Sequence, residues 1–388
     1  MSENSAVTTL DHQLRLNHLI EAIYEQLDPV LFVPESLATV RSLAAQLPPV
    51  NFQLFELRLS DDDPSIDLSV PLTDELLADR SDWCSIAPWS QILALKRACQ
   101  INGEFAGAIA PHVFWGEFDC DGILPIIPIP GIFFDVSHEL AKPDNKPEFA
   151  RIVCKAWEIL MAKALPEPTR IGVKTALAAL PDGVYCTHFG IMLPRLLNGT
   201  ILPNSLRLHP AHWQVDDIAS WLKAVGAGAV ASEVERVTQE IPHLLQRAIV
   251  TVDAGAAVGT RVGMECYPTV LQTISSHSNH NRWLEEFTDW LGKYSLVSPS
   301  KARALLDWGI NRELSIDTPL KLGSLFNYSA CHLSLSHLKL VFEPSIGVQA
   351  KAYLLAHFIE PEKTALKQKT TVRESFDRIW ESLNSTSV

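Results

Sequence analysis

The residues best suited to chemistry alternate along short segments that are predicted to be β-strands. In each segment, alternate positions are apolar, and the positions between them carry basic, acidic or aromatic side chains. Because successive side chains of a strand point to opposite faces, each strand would have one apolar and one polar face. The polar positions that could bind an anion or move a proton are Glu56, Arg58, Glu117, Arg207, Arg261, Glu265, Tyr267, Lys339, Lys351 and Tyr353.

The strand segments occur as five pairs, and amphipathic helices separate the pairs. The predicted pairs are 51–60 with 66–70, 113–119 with 131–136, 184–193 with 205–209, 248–253 with 260–267, and 337–343 with 348–358. The predicted helices are 14–27, 35–47, 148–165, 215–225, 281–294, 299–308 and 371–384. The spacing of the pairs is irregular and no sequence motif recurs from one pair to the next, so the repeat is one of secondary structure alone.

Two arrangements are compatible with this pattern. Solvent-facing hairpins of an ordinary α+β protein would show the same alternation. The amphipathic helices, however, need an apolar surface to cover, and a ten-stranded sheet that curls on itself would enclose its polar face. We therefore predict an α/β (α+β) fold: one domain over residues 1–388, with a ten-stranded antiparallel barrel inside a shell of helices.

This order of elements resembles the ABBA, or PT-barrel, prenyltransferases of aromatic and peptide substrates. In that family five successive α-β-β-α units close ten antiparallel strands into a barrel. The best local similarity is Lys351-Ala-Tyr353, which looks like the Lys-x-Tyr pairs that such enzymes place on lumen strands. The sequence has Arg207-x-His209 and Arg261-x-Gly263 where further pairs of this kind would be expected.

The resemblance implies transfer of an allylic isoprenoid from its diphosphate to an aromatic or peptide acceptor in natural-product biosynthesis. Cationic side chains would stabilise the diphosphate, aromatic faces would shield the carbocation, and a carboxylate would accept the proton. The expected binding residues are Arg58, Arg207, Arg261, Tyr267, Lys339, Lys351 and Tyr353. The candidate bases are Glu56, Glu117 and Glu265, with Glu56 preferred because the resemblance places a base on an early strand. Mg²⁺ could accompany the donor.

Two alternatives remain open for the function. One is a barrel that does not prenylate and instead binds or modifies a peptide or small molecule. The other, minor alternative is a phosphatase, because Phe118 to Leu124 resembles the first motif of haloacid dehalogenases, with Asp119 as nucleophile and Asp121 as acid/base. The flanking tryptophan, glycine and prolines are not typical of that motif, and a polar hairpin turn is the simpler interpretation.

Other clusters of potential metal ligands have simpler interpretations. Asp61 to Asp63 with Asp67 could suggest the magnesium-binding aspartates of isoprenoid synthases, but Pro64 predicts a turn. His209, His212, His277 and His280 suggest a metal by composition alone, and 276–280 is predicted to be a polar loop with no acidic partner at ligand spacing. We predict no metal site held by the protein itself. The chain also lacks the glycine-rich motifs of ATP-binding and dinucleotide-binding proteins.

Composition excludes several other classes of function. The 388 residues are 47% hydrophobic and carry a formal net charge of −13, so nucleic acid and anionic membrane surfaces are improbable partners. Seven scattered cysteines predict neither a disulfide framework nor a zinc ribbon. The first residues do not resemble a signal peptide, and no apolar run is long enough to cross a bilayer. We expect a cytoplasmic protein.

Overall fold

The computed structural model describes residues 15–359, except 62, 122–124, 200, 269–276, 309–310 and 323–325. The predicted closing helix at 371–384 lies outside the described residues, as does Leu14 at the start of the first predicted helix. The single domain over 1–388 therefore stays a prediction.

The strands form one antiparallel sheet that closes into a ten-stranded barrel, which confirms the predicted fold. Strands β1 to β8 are neighbours in chain order, β10 follows β8, and β11 pairs with both β10 and β1. The ring strands are β1 (Phe52–Arg58), β2 (Ile66–Pro71), β3 (Ile109–Phe118), β4 (Gly131–Val136), β5 (Tyr185–Ile191), β6 (Leu206–Ala211), β7 (Ala248–Ala254), β8 (Val258–Cys266), β10 (Phe326–Glu343) and β11 (Gly347–Ile359).

The ring closes where β1 meets β11, in a register that runs from Phe52 opposite His357 to Arg58 opposite Lys351. A further strand, β9 (Asn311–Leu322), pairs with the first half of β10 and is not part of the ring. The sequence pattern did not predict β9, and β10 is much longer than the predicted segment.

Twelve helices lie among the described residues. They are α1 (Leu16–Ile23), α2 (Pro34–Ala44), α3 (Asp74–Asp79), α4 (Trp89–Ala98), α5 (His138–Ala141), α6 (Lys146–Met161), α7 (Glu167–Ala178), α8 (Leu193–Leu197), α9 (Asp217–Ala224), α10 (Gly228–Glu240), α11 (His277–Lys293) and α12 (Pro299–Trp308). The sequence pattern missed α3, α4, α5, α7, α8 and α10. These helices are short, or they interrupt their apolar face with polar, glycine or proline residues, as Gly172 does in α7.

The hydrophobic core lies between the barrel and the helices. Outward-facing strand residues such as Phe55, Val70, Phe134 and Leu354 are buried in it. The alternate positions point into the lumen, so the polar faces of all five strand pairs are brought together there. No helix of the described residues combines the length and apolar character that a bilayer crossing requires.

Candidate functional site

A small cavity in the lumen is lined mainly by charged side chains. Five cations and two carboxylates surround it: Glu56, Glu117, Arg195, Arg207, Arg261, Lys339 and Lys351. Thr251, Gly263 and Val341 complete the lining. The cavity measures about 20 Å³, which is room for about one water molecule. A Cβ on Gly263 would lie 2.2 Å from Thr251 Oγ1 and 2.8 Å from Lys339 Cε, so a larger residue there would displace both side chains.

The sequence therefore identified six of the seven charged residues of this lining. The other four predicted site residues lie beside the cavity: Arg58 and Tyr353 bind Glu56 of its lining, Glu265 binds Lys339 of its lining, and Tyr267 binds Glu265. The structure thus brings all ten predicted residues to the cavity or next to it, while their roles stay predictions.

Glu56 is the most heavily bonded carboxylate of the lumen. It accepts hydrogen bonds from Lys351 Nζ at 2.5 Å, from Arg58 Nη1 at 2.7 Å and from the hydroxyl of Tyr353. Burial alone would raise the pKa of Glu56, but the charges of Lys351, Arg58 and Lys339 outweigh it and hold that pKa well below its usual value. Burial also lowers the pKa of Lys351 to about 8, which the charge of Glu56 offsets only in part.

Glu265 has a similar set of partners on the neighbouring side of the lumen. It accepts from Lys339 Nζ at 3.0 Å and from the hydroxyl of Tyr267 at 3.1 Å. Despite burial, the charge of Lys339 lowers the pKa of Glu265 to about 2. The ring of His337 lies between the two tyrosines, 4.6 Å from Tyr267 and 4.1 Å from Tyr353 between ring centroids. Two lysine–glutamate–tyrosine sets are thus joined by one imidazole.

Two more cations of the lining are paired with carboxylates of strand residues. The guanidinium of Arg207 donates to both oxygens of Asp253, at 2.9 and 3.1 Å. Arg261 lies 3.4 Å from a carboxylate oxygen of Glu343 at the edge of the lumen. Burial and the nearby guanidinium groups of Arg207 and Arg195 lower the pKa of Arg261. The Nε of Arg261 makes no hydrogen bond among the described residues.

Arg195 is the lining residue that the sequence analysis missed. It lies on α8, in the connection between β5 and β6, and reaches into the lumen from there. Its Nε donates to Asp119 at 3.0 Å, its Nη2 donates to the other oxygen of Asp119, and Nη2 also lies 3.3 Å from Glu117. Strand alternation could not identify it, because it belongs to a five-residue helix with no such pattern.

Carboxylates from two acidic segments of the sequence, one near Asp63 and one near Asp121, lie around Arg58. Its guanidinium donates to Asp67 at 2.7 Å and lies 3.7 Å from Asp63 and 4.0 Å from Asp121. Burial raises the pKa of Asp67 to about 7 even though Arg58 lowers it. Both oxygens of Asp119 are bound to Arg195, so this carboxylate is engaged in an ion pair rather than presented for attack on a phosphate.

One group of described residues has the composition of a metal site. Side-chain atoms of His188, His209 and Glu265 lie within 4.8 Å of one another. Burial lowers the pKa of His188 to about 4 and that of His209 well below its usual value, so both imidazoles are neutral. Both oxygens of Glu265 nevertheless accept hydrogen bonds already, and the ammonium of Lys339 at 3.0 Å would repel a metal ion. We derive no metal site from this group.

Comparison with known proteins does not assign this chain to a family. Neither a protein-family model nor a curated protein matches this sequence. The functional argument therefore depends on the lumen itself, where a ring of cations, two central carboxylates and stacked aromatic rings could bind an anion and transfer a proton.

Proposed function

We propose that the barrel transfers a prenyl group from an allylic diphosphate to an aromatic or peptide acceptor. The observation that supports this most is the cavity lining, in which five cations outnumber two carboxylates at the centre of a buried lumen. Such a lining is suited to a polyanion, and cations that face a departing diphosphate stabilise the charge that develops on it. The activity, its pathway and its cellular site are all part of the proposal.

The donor can enter only if the ion pairs of the lumen exchange partners. A cavity of about 20 Å³ is far smaller than the sites of about 300 Å³ or more that hold small molecules. In the proposed complex, phosphate oxygens replace Glu56 as the partner of Lys351 and Arg58, and they bind Arg207, Arg261, Lys339 and Arg195 as well. Arg–phosphate and Lys–phosphate contacts are among the strong hydrogen bonds of proteins.

The same exchange would convert Glu56 into a base. In the free barrel three donors hold its oxygens, and this carboxylate is a poor proton acceptor. Once Lys351 and Arg58 bind the diphosphate, the pKa of Glu56 rises towards a value at which it can accept a proton from the acceptor. The rings of Tyr353 and Tyr267 would flank the allylic cation and stabilise it by cation–π attraction.

Magnesium would arrive with the donor rather than from a site in the protein. Asp63 and Asp121 are the exposed carboxylates nearest to Arg58, with 43% and 56% of their side-chain surface exposed. Both could contact a donor-bound Mg²⁺ from the rim of the lumen, since carboxylates and diphosphate oxygens are typical ligands of this ion.

Incubation of the purified protein with dimethylallyl and geranyl diphosphates and a panel of indoles, phenols and peptides tests the proposal. The expected result is a product heavier than the acceptor by one prenyl group, together with release of inorganic diphosphate. Heat-treated protein serves as the control. Absence of product across the panel, with no calorimetric binding of any diphosphate, would contradict the transferase.

A second candidate is a barrel that binds a peptide or small molecule without prenylating it. The observation in its favour is the size of the cavity, because a lumen filled by its own ion pairs could serve to hold the barrel together. A ligand would then bind at the rim of the barrel. This candidate is favoured if the protein binds diphosphate but no acceptor in the panel gains a prenyl group.

A further inference from the structure

We propose that Glu117 takes up a proton from solvent when an anion enters the cavity, and that the neutral carboxyl then donates a hydrogen bond to that anion. The ligand class is a phosphate-type or sulfate-type anion. This inference rests on the proposed function only in using the same cavity, since proton uptake can occur whether or not transfer follows.

The first argument is the contrast between the two carboxylates of the lining. Glu56 has three strong donors. Glu117 accepts one side-chain hydrogen bond among the described residues, from Arg195 Nη2 at 3.3 Å, and that guanidinium is bound more closely by Asp119. Glu117 is buried nonetheless. A buried carboxylate with one long hydrogen bond is poorly compensated, so it is the group that gains most from a proton.

The second argument is the position of Glu117 on the cavity wall. An anion inside the cavity would face two negative carboxylates at short range, and like charges in a buried site repel strongly. Glu56 keeps the hydroxyl of Tyr353 as a donor when the anion takes over Lys351 and Arg58. Glu117 has no such second partner in the described lumen. Protonation removes its charge and converts an acceptor into a donor aimed at the ligand.

The charged groups around Glu117 come from several elements. Those that act on it most are Glu56 of β1, Arg195 of α8, Asp119 just after β3, and Arg207 of β6. Arg261 of β8, Lys339 of β10 and Lys351 of β11 face it across the cavity. Burial raises the pKa of Glu117, the charge of Glu56 raises it further, and Arg195 offsets this only in part. The negative charge of an incoming anion would also raise the pKa of Glu117, as the charge of Glu56 does.

Sulfate is the probe for the test, because it stays doubly charged throughout the pH range in which proteins are stable. Any pH dependence of its binding then belongs to the protein. For wild type we expect sulfate affinity to rise as pH falls from 7 to 5, below the pKa of about 8 of Lys351, by about tenfold per unit while the proton is being taken up. The binding enthalpies in two buffers of different ionisation enthalpy should differ by the amount that corresponds to about one proton taken up per sulfate.

Three variants identify the group that takes up the proton. Glu117→Gln imitates the protonated side chain, so it should bind sulfate tightly at pH 7 and lose both the pH dependence and the proton uptake between pH 7 and 5. Asp67→Asn is the matched control, since Asp67 has a pKa of about 7 but does not line the cavity; it should keep both. Glu56→Gln should bind sulfate more tightly at every pH and also keep the pH dependence.

The outcomes separate this inference from the proposed function. Proton-coupled sulfate binding without prenyl transfer supports the inference and contradicts the transferase. Binding that is independent of pH, or pH dependence that disappears in Asp67→Asn instead of Glu117→Gln, overturns the inference. Absence of binding of both sulfate and inorganic diphosphate to wild type overturns it as well. The two-buffer calorimetry needs no variant, so a wild type that takes up no proton with sulfate overturns the inference even where Glu117→Gln misfolds.

Discussion

Each of the five cations that line the lumen cavity has a carboxylate partner within reach. The partners are Asp119 and Glu117 for Arg195, Asp253 for Arg207, Glu343 for Arg261, Glu265 for Lys339, and Glu56 for Lys351. Burying ions costs more free energy than pairing them returns unless further hydrogen bonds compensate. An interior of buried ion pairs therefore adds little to the stability of the fold, which agrees with a role in binding.

Replacing Lys351 by Ala is the first test of binding at the scale of a residue. The variant should bind the diphosphate donor about 10- to 100-fold more weakly, because one charge-assisted hydrogen bond to the ligand is lost. Lys155→Ala on the exposed side of α6 is the matched control and should leave affinity unchanged. Isothermal calorimetry measures both. Equal affinity of Lys351→Ala and wild type would exclude Lys351 from the site.

Replacing Glu56 by Gln tests the proposed base. Proton transfer by a positioned side chain contributes about 10²- to 10⁴-fold to a rate, so turnover should fall by a factor in that range. Donor affinity should not weaken, because the amide no longer competes with the phosphate for Lys351 and Arg58. Single-turnover rates and donor titrations separate the two effects. A variant that loses affinity while keeping its rate would show that Glu56 organises the site instead.

The sequence predicted these lumen residues because strand alternation alone decides which face a side chain takes. It could not predict the partners. Asp253 contacts Arg207 only because β6 pairs with β7, and Arg195 contacts Glu117 only because α8 lies close to the lumen. Those contacts depend on register and on loop conformation, which local patterns do not encode.

At the scale of the elements, close packing of α7 against the barrel depends on one glycine. A Cβ on Gly172 would lie 2.0 Å from the carbonyl oxygen of Gly255, in the turn between β7 and β8. The contact is with backbone, so it cannot be relieved by a side-chain rotation. The helix must move away from the turn if any larger residue is present.

Gly172→Ala should therefore lower the free energy of unfolding by about 1–3 kcal/mol, although alanine is the better helix former. The matched control is Gly292→Ala in α11, where a Cβ meets nothing within 4 Å. That change should instead raise the free energy of unfolding by about 0.5–1 kcal/mol. Urea denaturation followed by circular dichroism measures both. A stabilising Gly172→Ala would mean that α7 and the turn are farther apart than described.

The five strand pairs were predictable because each strand carries its own alternation of apolar and polar residues. Helix α7 was not predictable, because Pro168 and Gly172 interrupt its pattern and tertiary contacts with the barrel stabilise it. Strand β9 was missed for a related reason: it pairs with an extension of β10 that lies beyond the predicted segment.

At the scale of the whole molecule, the barrel has no free edge within its ring. Every ring strand is hydrogen-bonded on both sides, including β1 and β11 where the first and last strands meet. A sequence pattern can suggest closure, since ten strands with one polar face gain from enclosing it. It cannot fix the register of Phe52 with His357, which depends on residues 305 positions apart being brought together by all the strands between them.

This closure predicts how the molecule opens. Removing any ring strand breaks two ladders, so amides of β1 should exchange with solvent deuterium only when the whole barrel unfolds. Amides of β5, on another part of the ring, should exchange with the same opening free energy to within about 1 kcal/mol. Strand β9 pairs only with β10 among the described strands and should exchange faster, as an edge strand does.

Native-state hydrogen exchange with peptides that cover 52–58, 185–191 and 311–322 makes the comparison within one sample. Peptide 311–322 is the internal control for an edge. If the 52–58 peptide exchanged as fast as this control while 185–191 stayed protected, the barrel would open at the contact of β1 with β11. Lys351 and Glu56 lie on those two strands and bind each other across that contact. Opening there would part the central ion pair of the lumen, and it would provide the route by which a donor enters a cavity that is otherwise too small to admit it.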